Sequence, residues 1–379
     1  MNNLTIAAEL KQIRQDLHQI PELEFNLFKT HLYVKTKLEA MGYHPRTVAK
    51  TGIIAVKEGS LKEAVAFRSD MDALPVAEKS NNPTPSTHIG AMHACGHDGH
   101  MAMLLGFAGY VSKLENLKQT IVFIFQPAEE GPGGAKVIIN EGIFDEYHIT
   151  KIFGFHLFPG LKEGLYGLAN GPLMAQNGEF DVEIHATSAH GAQPHLGHDA
   201  ILAASQLINQ YHTIVSRSVD PLEPAVVTVG TIGGGEARNI ISNYVKFTGT
   251  IRAFHEDVYR TIKIKINEMN TGIEQSFQVK VKSVIRDYYP PVLNDANLFH
   301  QALTILSPSE YKIIKPLMFA EDFAFYQQKV PGLFIMLGTK NEKKEYIHPL
   351  HSCCFNFDES VLVKGVELYI RISKDLGIF

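Results

Sequence analysis

Short apolar runs alternate with helical stretches along the first 160 residues of the chain. The clearest runs are GIIAV (52–56), AVAFR (64–68), TIVFIF (120–125) and KIFGFH (151–156). They are short and nearly continuous in apolar character, which is typical of strands covered on both faces. The segments between them at 98–114 and 134–141 have helical patterns. This alternation predicts an α/β fold, a mostly parallel mixed sheet with helices on both faces.

The pattern changes near residue 180. There FDVEIHATSAH (180–190) alternates apolar and polar positions, and a long helical stretch follows at 199–216. VVTVGTIGGG (226–235) and YVKFTGTIRAF (244–254) resemble antiparallel neighbours, and a second helix is predicted at 259–275. A β-α-β-β-α-β order of this kind predicts an α+β, ferredoxin-like domain. We therefore expect an inserted domain at 180–289 within a larger domain formed by 1–179 and 290–379.

Composition narrows the classes of protein that fit. The chain has 379 residues, 45% of them hydrophobic and 20% charged, which is ordinary globular usage with length for two domains. A net charge of −5 gives no basic footprint for nucleic acid, and no apolar run is long enough to predict a membrane span. The N-terminal stretch predicts an amphipathic helix rather than a secretory signal, and three cysteines cannot form a disulfide framework. A cytoplasmic protein is expected.

Side chains that can bind a metal occur in four places beside predicted strands or at a helix start. Cys95 and His97 lie in MHACGHDGHM (92–101), just before a predicted helix, and QPAEEG (126–131) follows the TIVFIF run. His156 closes the KIFGFH run, and HPLHSCCF (348–355) follows the apolar PGLFIMLG stretch. In an open α/β sheet the carboxyl ends of the strands gather ligands, so we expect these four clusters to meet.

The spacing within the clusters suits metal-assisted hydrolysis. In an extended Cys-x-His both side chains leave the backbone on the same side, so Cys95 and His97 can share an ion. Adjacent glutamates point in opposite directions, so one of Glu129 and Glu130 can bind metal while the other handles a proton. A single histidine or a Glu-Glu pair is more often structural, and GPGGA lacks the Lys-Ser/Thr of a nucleotide loop. The joint occurrence of four clusters nevertheless favours a metal site.

Six motifs occur together in an order that resembles a known family: MHACGHDGHM, FQPAEEGPGGA, GFHLFP, SAHGAQPHLGHDA, GTIRAF and AEDFAFY. They are similar to the dinuclear metal amidohydrolases related to aminoacylases and bacterial carboxypeptidases. Within these, the chain resembles the branch of hippurate hydrolases, auxin-conjugate hydrolases and N-acetyldiaminopimelate deacetylases. The resemblance extends from the DLHQIPELEF helix near Asp16 to FNFDES around Asp358.

The resemblance implies a ligand set for two divalent ions per subunit, Mn²⁺ or Zn²⁺, with Co²⁺ or Ni²⁺ possible. The implied ligands are Cys95, His97, Glu130, His156 and His351, with Cys95 bridging the ions. Glu129 would be the general base. Arg68 stands where distant relatives have a ligating histidine, so it is not counted as a ligand. Asp70 and Asp72 would support the ligands, and His348 competes with His351 for its role.

The same resemblance implies that the inserted domain is a lid that also forms a homodimer. His190 would reach the partner subunit's site and stabilise the developing oxyanion, while Asn239 and Arg252 would hold the substrate. Cys353 and Cys354, which follow His351 where relatives usually have a proline, are expected to pack as small apolar residues.

The implied activity is metal-dependent hydrolysis of the amide bond of N-acyl amino acids. The expected substrate is a small molecule, with N-acetyl-diaminopimelate as a candidate, and neither nucleic acid nor a membrane is an expected partner. The alternatives are a metal-dependent dipeptidase or carboxypeptidase and a non-catalytic binding protein on the same fold. An intact Glu129 beside Glu130 argues against the last of these.

Overall fold

The apolar runs predicted as covered strands form the centre of an eight-stranded sheet in the computed structural model, which describes residues 3–379. The chain divides into two units. The host unit comprises the residues up to Leu173 together with Leu293–Lys315 and Asp322–Phe379, and the inserted unit comprises Met174–Val292 and Pro316–Glu321. Each unit has its own apolar core.

The helices and strands are numbered in chain order. The helices are α1 (Asn3–His18), α2 (Phe28–Ala40), α3 (His97–Val111), α4 (Gly134–Asn140), α5 (Ile143–Glu146), α6 (Ala200–Ser218), α7 (Glu256–Phe277), α8 (Ala296–Thr304), α9 (Phe323–Gln327) and α10 (Leu362–Asp375). The strands are β1 (Arg46–Val48), β2 (Gly52–Lys57), β3 (Ala64–Asp70), β4 (Thr120–Gln126), β5 (Ile149–Lys162), β6 (Tyr166–Leu168), β7 (Gly171–Met174), β8 (Gln176–His185), β9 (Ala189–His190), β10 (Ala225–Gly234), β11 (Ile240–Ile241), β12 (Tyr244–Ala253), β13 (Lys280–Asp287), β14 (Val292–Asn294), β15 (Tyr311–Ile313) and β16 (Gly332–Lys340).

The sheet of the host unit is mixed, with a parallel centre. Its strand order is β1-β2-β4-β3-β5-β16-β6-β15. The pairs β4–β3, β3–β5, β5–β16 and β6–β15 are parallel, whereas β1–β2, β2–β4 and β16–β6 are antiparallel. Parallel neighbours bring the carboxyl ends of β3, β4 and β5 to one edge, where the polar clusters of the sequence follow.

Helices cover both faces of this sheet, as the sequence predicts. Successive side chains of a strand point to opposite faces. On β4, Ile121, Phe123 and Phe125 belong to the core formed with α1, α3 and α10, while Val122 and Ile124 are buried on the other face. Helices α4, α5 and α9 contact strands β4, β5 and β16. Double coverage explains why these strands are apolar without alternation.

The inserted unit is the predicted ferredoxin-like fold. Its four-stranded sheet has the order β10-β12-β8-β13, and all three pairings are antiparallel. Helices α6 and α7 pack on this sheet over a core that includes Phe180, Tyr211 and Phe247. One expectation is wrong in detail, because the strand predicted at 180–190 ends at His185. After a turn, Ala189 and His190 pair instead with Ile240 and Ile241 in a separate two-stranded sheet.

No helix within residues 3–379 combines the length and the apolar character needed to cross a bilayer.

Candidate metal centre

A tight turn at Gly96 brings Cys95 and His97 into the centre. Gly96 has φ +88°, a conformation that side-chain-bearing residues rarely adopt, and α3 begins at the next residue. A Cβ atom at Gly96 would also lie 3.0 Å from Leu157 Cδ1. Both Cys95 and His97 are buried, so the turn presents a thiol and an imidazole in the interior of the host unit.

A second turn, after β4, places the two glutamates. Ala128 has φ +58°, and its carbonyl oxygen accepts the N–H groups of Gly133 and Gly134, each at 3.1 Å. The Asp72 carboxylate accepts the backbone N–H groups of Glu129 and Glu130, each at 3.0 Å. One buried carboxylate therefore fixes the backbone of both glutamates.

The five ligands implied by the sequence converge. Cys95 Sγ lies 3.4 Å from His156 Nε2, and Glu130 Oε1 lies 3.8 Å from His97 Nε2 and 3.2 Å from His351 Nε2. Cys95, His97 and His156 form one group, and Cys95, Glu130 and His351 form another, each with donor atoms within 4.8 Å of one another. The two groups share only Cys95.

Hydrogen bonds aim the imidazole rings. His97 Nδ1–H donates to the carbonyl oxygen of Asp72 at 2.8 Å, and His156 Nδ1–H donates to the carbonyl oxygen of Leu157 at 2.7 Å. A carbonyl oxygen can only accept, so in the neutral form of each ring Nε2 carries the lone pair and faces the centre, the usual arrangement of a metal-ligating histidine. His97 Nε2 is buried and has no hydrogen-bond partner among the described residues.

Burial and the neighbouring charged groups shift the pKa values of the thiol and imidazole groups in the cluster. Burial, together with the nearby carboxylates of Glu130 and Glu129, raises the pKa of Cys95 well above its usual value. Burial lowers the pKa of His156 to about 3. Burial also lowers the pKa of His97, but attraction to the carboxylates of Asp70, Asp72 and Glu130 outweighs burial and raises that pKa to about 10. Without metal the cluster therefore holds protons that a bound cation must displace.

Of the two histidines in HPLH, geometry favours His351. His351 adopts φ +65°, and its N–H donates to the carbonyl oxygen of Ala94 at 2.9 Å, which ties it to the turn before Cys95. His348 is exposed and belongs to no group of metal-capable side chains in the described chain.

A network of buried charges supports the centre from behind, and most of it was missed in the sequence. His100 Nδ1–H donates to Asp70 at 2.6 Å, and His100 Nε2 accepts the N–H of Leu157 at 2.9 Å. The Arg68 guanidinium donates to both Asp70 and Asp322, at 2.9 Å each. Arg68 thus acts as the cation of an internal network and not as a metal ligand. In the sequence, only their positions within family motifs pointed to a role for these residues: His100 lies in MHACGHDGHM and Asp322 in AEDFAFY.

A further ion network holds the start of α3. Asp98 accepts hydrogen bonds from Arg14 Nε at 2.9 Å and His18 Nδ1 at 2.6 Å, and His18 Nε2 lies 3.3 Å from Glu78. Asp98 Oδ1 also accepts the N–H of Gly99 at 2.8 Å. Since Asp98 follows His97 directly, this network anchors α1 to the helix terminus that carries a candidate ligand.

In the inserted unit, His190 and Asn239 are brought together. His190 pairs with Ile240 across the short β9–β11 sheet, and the N–H of Gly191 donates to the carbonyl oxygen of Asn239 at 2.7 Å. Arg252 lies elsewhere, on β12 opposite Asn177. Its Nη1 is buried without a hydrogen-bond partner among the described residues, and burial lowers its pKa.

Comparisons with known proteins cover nearly the whole chain. The model of peptidase family M20/M25/M40 matches residues 66–375. An N-acetyldiaminopimelate deacetylase from Leuconostoc mesenteroides is 36% identical over 368 residues, which is 94% of each chain. An N-acetyl-L-cysteine deacetylase from Bacillus subtilis is 38% identical and covers 99% of this chain and 90% of its own.

A solved structure shares the fold over the same length. It is that of the Bacillus subtilis YXEP protein, described as a dinuclear metal binding peptidase from the M20 family. The TM-score is 0.87 at 29% identity, with 99% of both chains covered. The match therefore includes the inserted unit as well as the metal-capable cluster.

Proposed function

Because the chain belongs to peptidase family M20/M25/M40, we propose that it is a metal-dependent amidohydrolase that releases the acyl group of N-acyl amino acids. The observation that carries this proposal is the cluster of Cys95, His97, Glu130, His156 and His351 with Glu129 beside it. N-acetylated amino acids are the preferred substrate class, because the relatives named above are deacetylases of N-acetyldiaminopimelate and N-acetyl-L-cysteine.

The donor set fits two divalent cations. A thiolate shared by two groups of three ligands supports a bridging role for Cys95, and the unpartnered His97 Nε2 is an atom that a bound cation would satisfy. Sulfur, imidazole and carboxylate together suit Zn²⁺ and accommodate Mn²⁺, Co²⁺ or Ni²⁺. When bound, such ions lower the pKa of water and polarise an amide carbonyl.

Glu129 is the proton carrier of the reaction. Its side chain is buried, and one of its carboxylate oxygens falls within 4.8 Å of donor atoms of His97 and Glu130. A carboxylate in that position accepts a proton from the attacking water and returns it to the departing amine nitrogen. Glu130 faces the metal ligands, so the two neighbours divide binding and proton transfer between them.

The inserted unit is proposed to be a lid and a dimerisation domain, with the host unit as the catalytic domain. His190 of the partner subunit would then stabilise the oxyanion, while Asn239 and Arg252 hold the substrate. The unpaired Nη1 of Arg252 supports a role in binding an anionic group.

Exposed apolar side chains support self-association of the inserted unit. Ile201, Leu202 and Ile232 are about half exposed, at 49%, 50% and 59%. Strand β10 is at an edge of its sheet, where unpaired backbone groups form a surface on which a second copy of the chain can pair. An Ile232→Lys variant should therefore run as a monomer in size-exclusion chromatography with light scattering. If the wild-type protein were itself monomeric in this measurement, the proposed dimer would be wrong.

We also propose a cytoplasmic location. Three free cysteines, two of them half-buried, are the state that a reducing compartment maintains.

The test is release of free amine from a panel of N-acyl amino acids, with N-acetyl-diaminopimelate and N-acetylcysteine included. Protein stripped by chelation should be inactive and should recover on reloading with Mn²⁺ or Zn²⁺. The similarity to the YXEP protein, which is described as a peptidase, favours one second candidate, a dipeptidase, so dipeptides with a free amino terminus belong in the panel. Turnover of dipeptides alone would replace the deacylase proposal, and bound metal without any turnover would favour a binding protein.

A further inference from the structure

Two of the three cysteines have no role in the proposed centre. Cys353 and Cys354 follow the candidate ligand His351 by two and three positions. Both are free, half-buried thiols, and their Sγ atoms lie 3.8 Å apart. An adjacent pair with both sulfurs on the same side and partly open to solvent goes beyond the packing role expected from the sequence.

The sulfur–sulfur distance separates two possible uses of such a pair. A disulfide needs sulfurs about 2.0 Å apart and Cα atoms about 4.4 to 6.8 Å apart, whereas adjacent Cα atoms are only about 3.8 Å apart. Two thiolates bound to one tetrahedral zinc ion, each at about 2.3 Å, lie roughly 3.8 Å from each other. The observed 3.8 Å, a distance at which two thiols can also hydrogen-bond, matches the separation of two sulfurs on one such cation, and the Cα spacing of adjacent residues is short for a disulfide.

The surrounding backbone holds the pair in this geometry. The N–H of Lys79 donates to the carbonyl oxygen of Cys353 at 2.8 Å, and the N–H of Cys354 donates to Ser352 Oγ at 3.2 Å. The thiol of Cys354 donates to the carbonyl oxygen of Lys79 at 3.7 Å, so an oxygen atom that could bind a cation is close by. In the described part of the chain, no third Cys, His, Asp or Glu side chain completes a cluster with the two sulfurs.

The pair lies beside the most exposed member of the donor set. The side chain of His351 is 54% exposed, compared with 14% for Glu130 and 0% for His97. A cation that enters from solvent therefore meets His351 before the buried ligands.

We propose that Cys353 and Cys354 form a separate site for one thiophilic divalent cation, such as Zn²⁺ or Cd²⁺, and that this site takes up metal for delivery to the centre through His351. The delivery step rests on the proposed metal centre, while the binding step does not. Binding releases one proton from each thiol and involves no oxidation. Only two protein sulfurs hold the ion, so water completes its coordination and the ion remains exchangeable.

The experiment uses metal-free full-length protein with Cd²⁺ as the only added metal, and compares wild type, a Cys353→Ser/Cys354→Ser double variant and Cys95→Ser. Bound ions are counted by native mass spectrometry, and thiolate-to-cadmium charge transfer is followed in the ultraviolet. The double variant should lose one Cd²⁺ per chain. In the Cys95→Ser variant the thiols that remain are those of Cys353 and Cys354, so a charge-transfer band can come only from them. That band tests the new site even if the proposed centre fails.

Two results would overturn the proposal. Equal Cd²⁺ counts in wild type and the double variant, with no charge-transfer band in Cys95→Ser, would reject the site. A wild-type mass lower by two hydrogens, together with a Cd²⁺ count equal to that of the double variant, would show that the pair is a disulfide instead. For delivery, the double variant should fill the centre more slowly when Zn²⁺ is limiting, as followed by the time course of Zn²⁺ incorporation. Equal rates would reject delivery.

Discussion

Glu129 and Glu130 are chemically identical neighbours whose surroundings assign them different tasks. Glu130 contacts His97 and His351, and hydrogen bonding and attraction from these rings overcome burial to lower its pKa. A Glu129→Gln variant should keep its bound metal and lose roughly 10²- to 10⁴-fold in kcat, because an amide cannot carry the proton. Glu130→Gln is the matched variant and should instead lose metal affinity. Metal content and kcat are measured on both.

Retention of near-normal kcat by Glu129→Gln would show that another group carries the proton. Loss of metal from this variant, with Glu130→Gln still loaded, would mean that the two assignments are reversed.

At the residue scale, the sequence predicted which side chains converge and named Asp70 and Asp72 as their supports, but it did not predict the other residues that hold them. Cys95, His97 and His156 could be chosen because thiol and imidazole groups beside strands are recognisable ligands. The roles of His100 and Asp322 depend on contacts across 30 and 254 positions of the chain, with Asp70 and Arg68 respectively. No local pattern encodes such distant pairing, so these residues were visible only in the fold.

Turns, as much as helices and strands, fix the ligand-bearing segments. A Cβ atom at Gly134 would lie 1.8 Å from the carbonyl oxygen of Pro127, which is backbone and cannot move aside. Gly134→Ala should therefore destabilise the protein by about 3 kcal/mol and displace the turn of Glu129. In contrast, Gly272 is exposed in α7 with open space around it, and Gly272→Ala should stabilise its helix by about 1 kcal/mol. Urea denaturation distinguishes them, and equal effects would contradict the steric argument.

The junction between α1 and α3 should depend on pH through His18. Burial and Arg14 lower the pKa of His18, but hydrogen bonds to Asp98 and Glu78 outweigh them and raise it above 6.5. The stabilisation from a raised pKa is complete below the unfolded value and is lost as pH rises through the folded value. The destabilisation by His18→Gln should therefore be larger near about pH 6 than near about pH 9.

Urea titrations at both pH values measure this difference, with His44→Gln as a control for the loss of an exposed imidazole. If His18→Gln lowered the free energy of unfolding equally at both pH values, the His18 ring would be neutral between Asp98 and Glu78.

At the element scale, strand positions were predicted better than strand ends. The KIFGFH run was expected to close at His156, yet β5 continues to Lys162 through Pro159 and Gly160, which usually mark a break. Parallel pairing with β16 extends as far as Phe158, and after a register shift Lys162 pairs with Lys340. Tertiary pairing therefore overrides a local stop signal, and His156 lies within a strand.

At the scale of the whole molecule, the family predicted from six motifs is confirmed, and so is the α/β fold with its inserted α+β unit. The order and spacing of these six motifs between residues 92 and 326 carry this much information. Substrate preference does not follow in the same way, because relatives of similar identity are named for different N-acetyl amino acids.

All five proposed metal ligands lie in the host unit, whereas the inserted unit has a separate core. A ligand that binds only the folded state stabilises it by about 4 kcal/mol at a thousandfold excess over Kd, which is roughly a thousandfold in the population of opened states. Chelation should therefore speed amide hydrogen exchange strongly at 92–101 and 126–134 and leave α6 and α7 nearly unchanged. Hydrogen exchange with mass spectrometry checks this, with re-added Mn²⁺ as the control. Equal acceleration in both units would mean that they unfold as one cooperative body.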